Sequence, residues 1–404
     1  MIKGPLRLVR SDKVERYQVT QTIFEWIEGN TYLTIDQVDY KGKKGAILCY
    51  YNPPVHQVGN PGLDAYLEGL NKIFQRIDEL GFLLLYSAND PIHAGGDLKE
   101  SLNKLDKTLA LKKDQEANGA TQDDIDNLYE WADGRLRKGI ALHESIRKLA
   151  EHMRVVAVCG GGSRFGGSAE IPLMADYLVG DSRSGLCFSE AMIGLIPGWS
   201  GLARSLVKAG PTNATYMALT AKEVKAPQLK EIGIYNLIVD IPFPFPKKQK
   251  TDDPEADKAN YEEALQTHND KTGMLLLPKG LDTATCKAQD IPVVSKMERK
   301  TLTTQEEISQ EVDRRKNPYN YSKLWGKPLK EVKEELAELG RPLAPQSVEA
   351  LRRLLDSYDP ANFDENSFVQ REMMADARLY RDQKFREGLV ATLEQKVADY
   401  REAS

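Results

Sequence analysis

The sequence predicts an α/β fold for its first 240 residues, and three observations carry that expectation. Short apolar runs bounded by turn residues recur at 45–51, 82–86 and 154–159. Between the first two, Leu63, Tyr66, Leu67, Leu70, Ile73, Phe74 and Ile77 repeat at helical spacing. Glycine-rich turns follow the second and third runs, at Gly95-Gly96 and Gly166-Gly167.

Taken in order, residues 45–51 (GAILCYY) read as a buried strand ended by Asn52-Pro53-Pro54, and a helix spans 62–80. The run 82–86 is a fully apolar strand, so strand, helix and strand make a right-handed crossover. Residues 101–151 carry two helical patterns, one through Leu102, Leu105 and Leu109, the other from Leu128 to Leu142. The strand 154–159 runs into Gly166-Gly167 and an apolar helix over 171–177. A helical pattern over 205–219 and a strand over 233–239 close the region. Beyond Asp240 comes a proline-studded exit (Pro242, Pro244, Pro246) and a charged stretch over 250–258. Short helical patterns then mix with loops to 340, and from 346 the pattern is strongly helical, most clearly over 367–400. The expected organisation is a core at 1–240 with an inserted helical segment at about 101–151, an extension at 241–345, and a helical region at 346–404.

Composition narrows the function classes. With 41% hydrophobic and 28% charged residues the chain is soluble and globular, and a net charge of −5 argues against nucleic acid as its main partner. No apolar run is long enough to cross a bilayer, and residues 1–7 lack a secretory signal's apolar stretch. The four cysteines show no CxxC or zinc spacing, which reads as reduced thiols and a cytoplasmic protein. His143, His152 and His268 lack metal-ligand spacing, so no metal is expected. Gly160-Gly161-Gly162 misses GxGxxG because Phe165 stands at the last glycine, which leaves a dinucleotide site weakly supported.

The chemistry gathers around two carboxylates twenty residues apart, Glu170 and Glu190. Glu170 follows the second glycine turn at a helix start, where backbone N–H groups favour developing negative charge. Asp97, after the first turn, reads as a helix N-cap. Two free amides aimed at one oxygen, with acids beside them, are suited to polarising a carbonyl and moving a proton.

These segments resemble the enoyl-CoA hydratase/isomerase, or crotonase, superfamily. Ala94-Gly95-Gly96-Asp97-Leu98-Lys99 is similar to its first oxyanion motif, and Phe165-Gly166-Gly167-Ser168-Ala169-Glu170 to its second. Residues 189–198 resemble the next signature, 220–239 the end of the core, and 385–391 a terminal helical motif. The resemblance spans roughly 45–240 and 346–397 and implies a crotonase-like ββα spiral core with a C-terminal helical region. It implies an oxyanion hole from the backbone N–H groups of Ala94 and Gly167, with Glu170 and Glu190 as catalytic acids. By family position, His56, His93, Gly95, Asp97, Leu98, Lys99, Gly166, Pro197, Gly198, Trp199 and Lys396 fall in the substrate- and CoA-binding set. Read as residues alone, His93 is more an exposed turn histidine than a pocket residue. His56 is balanced between contact and exposure, and Trp199 between pocket wall and core. Departures are Ser168 where a third glycine is frequent, Pro172 just inside the helix, and Trp199-Ser200 in place of a small pair. Arg204 matches a basic position and reads as a structural ion pair.

Keeping both acids favours a hydratase that adds water across the α,β-double bond of an enoyl-CoA. The alternatives are an isomerase or an acyl-CoA hydrolase, including ring-opening of a cyclic oxo-acyl-CoA, and, in another class, a non-catalytic crotonase-like interaction module. The implied partner is an acyl-CoA thioester, with no nucleic acid and no membrane. No separate cofactor is expected, because coenzyme A is part of the substrate. A homotrimer or homohexamer through the terminal helices is expected.

Overall fold

A computed structural model describes residues 17–248 and 251–401, so the N-terminal segment 1–7 and Lys250 lie outside the described residues. In chain order the elements begin with β1 (Gln18–Glu28), β2 (Thr31–Tyr40), β3 (Lys43–Tyr51), α1 (Asn60–Phe74), β4 (Phe82–Ser87) and β5 (Ile92–His93). Three helices follow: α2 (Leu98–Ala117), α3 (Gln122–Asn127) and α4 (Glu130–Ala150). Next come β6 (Arg154–Cys159), β7 (Ser163–Phe165), α5 (Gly167–Leu173), β8 (Tyr177–Asp181) and β9 (Gly185–Cys187). Then α6 (Gly201–Ala209), α7 (Pro211–Thr220), β10 (Val224–Lys225), α8 (Ala226–Glu231) and β11 (Leu237–Val239) lead into a helical remainder. That remainder holds α9 (Pro254–Thr285), α10 (Gln305–Lys316), α11 (Lys333–Leu339), α12 (Pro345–Asp356), α13 (Glu365–Leu379) and α14 (Gln383–Leu393).

Two compact units arise, neither continuous in sequence. The first takes its described residues from the stretch ending at Gly95, from Leu142–Leu186 and from Val224–Lys300; the second takes Gly96–Ala141, Cys187–Glu223 and the chain from Thr301. In the first unit a seven-stranded sheet runs β1-β2-β3-β4-β6-β8-β11, antiparallel over its first two pairs and parallel from β3 onward. A small second sheet runs β10-β9-β7-β5. Three times the chain places one strand in the large sheet and the next in the small one: β4 then β5, β6 then β7, β8 then β9. This repeated strand–strand step, followed by helix, is the ββα spiral the sequence leads one to expect.

Both faces of the large sheet are covered. On one, Leu33, Ile35 and Tyr50 meet α1 so closely that Cβ atoms at Gly62 and Gly69 would lie 2.7 Å from Tyr50 Oη and 2.9 Å from Ile35 Cδ1. On the other, Ile47, Cys49, Leu84, Val156 and Val158 pack with Leu276, Leu277 and Leu281 of α9. Each of those leucines is almost fully buried, worth about 1.5–3 kcal/mol apiece.

Helix α9 corrects the expectation of short helices and loops over 260–340. It has 32 residues, mostly exposed to Thr267 and then buried through its last turns. A helix half in solvent and half in a core shows no single apolar stripe. The pattern over 205–219 divides in two at Gly210, whose φ of +83 and following proline end one helix and start the next. The helix expected through Tyr177 stops at Leu173, and Tyr177 opens β8. The inserted segment holds three helices rather than two, and the stretch 367–400 breaks where Asp382 caps α14. Strands β1 and β2 escape a reading by apolar alternation because Asp36 and Gln37 point into buried positions. Their side chains accept from Thr22 Oγ1 at 2.6 Å and Arg76 Nη2 at 2.7 Å.

Candidate active site

The two glycine turns leave neighbouring strands of the first unit. β5 and β7 pair in parallel, Ile92 with Ser163 and His93 with Arg164, so both chains exit the small sheet at one edge. The turns touch: a Cβ on Gly95 would lie 2.8 Å from the Phe165 carbonyl oxygen and 3.2 Å from Gly166 Cα. Only glycine allows that approach. Gly166 has φ +53 and ψ −133, a conformation of the same kind, and it precedes α5. The Gly167 N–H, first in that helix, makes no hydrogen bond among the described residues. Glu170 sits one turn further in and is buried, its N–H bonded to the Gly166 carbonyl at 3.1 Å.

Ala94 departs from its expected role as an oxyanion donor. Its N–H donates to the Val55 carbonyl at 2.7 Å, and its own carbonyl accepts from Ser168 Oγ at 2.5 Å. That amide is committed to holding the turn in place. The next two amides, of Gly95 and Gly96, make no hydrogen bond among the described residues. Ser168, the departure from a third glycine, thus ties the second turn to the first.

Neither histidine is an exposed turn residue; both are buried. His56 Nδ1 accepts from the Asn52 N–H at 3.1 Å, and Nε2 lies 2.6 Å from Asp90 Oδ2, to which it donates. Both ring nitrogens are spent, which leaves His56 none for a CoA contact. Asp90 is held from its other side by Asn269 Nδ2 of α9, and Asn89 donates to the Asn269 carbonyl at 3.0 Å. The rings of His56 and His93 lie 5.0 Å apart. From α9 to the first glycine turn there is therefore one buried line: Asn269, Asp90, His56, His93, Ala94. Burial, then the Arg164 charge and then His56, hold the His93 imidazole well below its ordinary value of 6.5, against a hydrogen bond to the Asp90 backbone.

The remaining candidates belong to the second unit. Asp97 accepts from the N–H groups of Lys99 and Glu100, both at 3.0 Å, which is the N-cap the sequence implies for α2; Leu98 opens that helix and Lys99 is exposed. Glu190 opens a short 3-10 turn and is buried. Pro197, Gly198 and Trp199 are also buried. A side chain at Gly139 would run into the Trp199 indole, and the Arg135 guanidinium lies 5.7 Å from its ring. Trp199 is thus packed against α4. Lys396 pairs with Glu394 at 2.7 Å. Arg204 does form an ion pair, at 2.9 Å from Glu365.

Sequence reading missed Asp90, Asn269, Arg164 and Arg135. Arg135 lies in the inserted segment, so close to Gly96 that a Cβ there would strike its guanidinium, and it donates to Ser101 Oγ at 3.0 Å. The Asn89-Asp90-Pro91 turn before the glycine motif was the one available signal, as a short polar run directly after an apolar strand.

The first unit is thus a spiral of paired strands that presents two touching glycine turns, with an acid one helical turn beyond the second. Residues 117–241 match the family model described as enoyl-CoA hydratase/isomerase. The chain is 26% identical over 187 residues to the fatty acid oxidation complex subunit alpha of Idiomarina loihiensis, covering 46% of this chain and 22% of that protein. It is 23% identical over 202 residues to a protein of Dictyostelium discoideum described as "Probable enoyl-CoA hydratase, mitochondrial", covering 50% of this chain and 62% of that one. The matches span less than two thirds of either relative. Among solved structures, an enoyl-CoA hydratase from Mycobacterium avium subsp. paratuberculosis gives a TM-score of 0.46 at 13% identity, over 91% of this chain and 98% of that one.

Proposed function

We propose that the protein is an acyl-CoA enzyme that adds water across the α,β-double bond of an enoyl-CoA thioester. The observation that carries this reading is the contact between the two turns within the first unit, where the Gly167 amide is uncommitted at the start of the helix that bears Glu170. Its donors are the Gly167 N–H and an amide of the Gly95-Gly96 turn, which takes the place first assigned to Ala94. Both would strengthen their bonds as charge moves onto the thioester oxygen, and one such donor is typically worth about 3 kcal/mol.

Glu170 and Glu190 are the two proton-transfer groups of this reading. One carboxylate takes a proton from water as its oxygen bonds to Cβ. The π electrons pass to Cα and the carbonyl, and the enolate then collapses as Cα takes a proton from the other acid. Each role is typically worth about 10²–10⁴-fold in rate. Retention of both acids and both glycine turns supports turnover over a non-catalytic role.

The test is turnover of wild type, Glu170→Gln and Glu190→Gln on a panel of linear enoyl-CoA and cyclic oxo-acyl-CoA thioesters. Hydration of a linear enoyl-CoA, lost in both variants with folding intact, is the expected result. Double-bond migration or thioester and ring cleavage in place of hydration assigns the same acids to isomerase or hydrolase chemistry. Turnover untouched by both substitutions removes the proton-transfer assignment. Association into trimers or hexamers is part of the same proposal and is read by sedimentation.

A further inference from the structure

The pairing of β5 with β7 sets His93 and Arg164 side by side, and both are buried. They line an internal cavity of about 40 Å³ together with Tyr66, Ser87 and Cys159. Arg164 is only 3% exposed; its Nη2 donates to Ser87 Oγ at 2.9 Å, while Nη1 is buried with no hydrogen-bond partner. No carboxylate among the described residues forms an ion pair with it. Its charge acts on Tyr66, His93, Cys159 and Tyr235. Burial keeps each of them neutral, raising the phenols and the thiol and lowering the imidazole. The nearby Asp90 is already bound by His56 and Asn269. A guanidinium stays charged under all ordinary conditions, and a buried cation without a counter-charge is strongly unfavourable.

We propose that this cavity is a binding site for a small monovalent anion, of the size of chloride or formate, held by Arg164 Nη1 beside His93. A single water needs roughly 10–15 Å³ of such space, so an ion of that size fits and a bulky one such as gluconate does not. His93 Nε2 also has no partner, while the other ring nitrogen is bonded to the Asp90 backbone. The charged and titratable groups facing the ring are Arg164 from β7 and His56 from the turn after β3. An anion between Arg164 and His93 offsets the repulsion that keeps the imidazole neutral. Nε2 then takes up a proton and donates to the anion, so binding tightens as pH falls. The bound ion ties together the two strands that present the glycine turns.

The experiment uses the full chain crystallised with bromide and melted in chloride, formate or gluconate. Expected are an anomalous bromide peak in the cavity and a Tm that rises by roughly 1–3 °C per tenfold increase in chloride or formate but not in gluconate. That rise is larger at pH 6 than at pH 8. It disappears in Arg164→Met and persists in Arg352→Met, a surface control. Should Arg164→Met fail to fold, the wild-type diffraction and pH series decide alone. Water in the cavity with no bromide signal, or equal melting in chloride and gluconate, overturns the proposal.

Discussion

His93 gives a quantitative handle on the buried line that supports the first glycine turn. Its imidazole titrates well below 6.5 in the folded chain because burial and the Arg164 charge oppose protonation. In the unfolded chain it takes a proton near 6.5. Between those two values the unfolded state binds one proton more, so stability falls as pH falls below 6.5 and is fully present above it. One such site loses about 1 kcal/mol of stability between pH 6.5 and 5.5, and approaches about 1.4 kcal/mol per further unit. His268, also buried and lowered chiefly by that burial, adds a term of the same sign. The assay is urea unfolding at pH 7.5, 6.5 and 5.5 in gluconate, which keeps small anions out, on wild type and His93→Asn. Asparagine retains a donor for the Asp90 backbone but does not titrate. The variant should show a pH slope shallower by about one proton below 6.5. Equal slopes in the two proteins would refute the argument that His93 is neutral and buried.

Gly95→Ala puts a methyl 2.8 Å from a backbone carbonyl that cannot swing aside, and should cost about 1–3 kcal/mol in urea titrations while lowering turnover more than thioester binding. Glu372 of α13, fully buried, accepts from the N–H groups of Leu202 and Ala203 at the start of α6, at 3.2 and 3.1 Å. Glu372→Ala should therefore destabilise by about 1.5–3 kcal/mol, read by the same titration. Burial raises the thiols of Cys49, to about 12, and of Cys159 and Cys187, whereas Cys286 is half-buried. Mass spectrometry after brief alkylation at pH 8 should find the label on Cys286, with the other three reacting only in denaturant.

How far the sequence was legible differs from one region to the next for physical reasons. Residues 154–159 were read with their observed bounds because a strand buried on both faces is a continuous apolar run closed by glycine. The two turns were legible because close backbone approach and positive φ admit little but glycine. Which amide of the first turn is spare was not legible, since the Ala94 bond to Val55 joins positions far apart in sequence. His93 read as an exposed turn residue, and His56 was balanced between contact and exposure, because their partners, Asp90, Asn269 and Arg164, come from three separate stretches. No window of periodicity holds that information. The long α9 was hidden for the converse reason, its burial changing from solvent to core along its own length.

The coverage of the large sheet has a consequence for synthesis of the chain. Residues such as Leu84, Val156 and Val158 lie under the last third of α9, which ends at Thr285. A nascent chain that has already emitted both glycine turns and both glutamates still shows that apolar face to solvent until about a hundred more residues have emerged, at a typical rate of roughly 5–20 residues per second. Truncation anywhere between β11 and Leu281 should thus give a chain with both glycine turns and both glutamates present and an aggregation-prone sheet. Chaperone dependence during translation is expected to end when α9 leaves the ribosome.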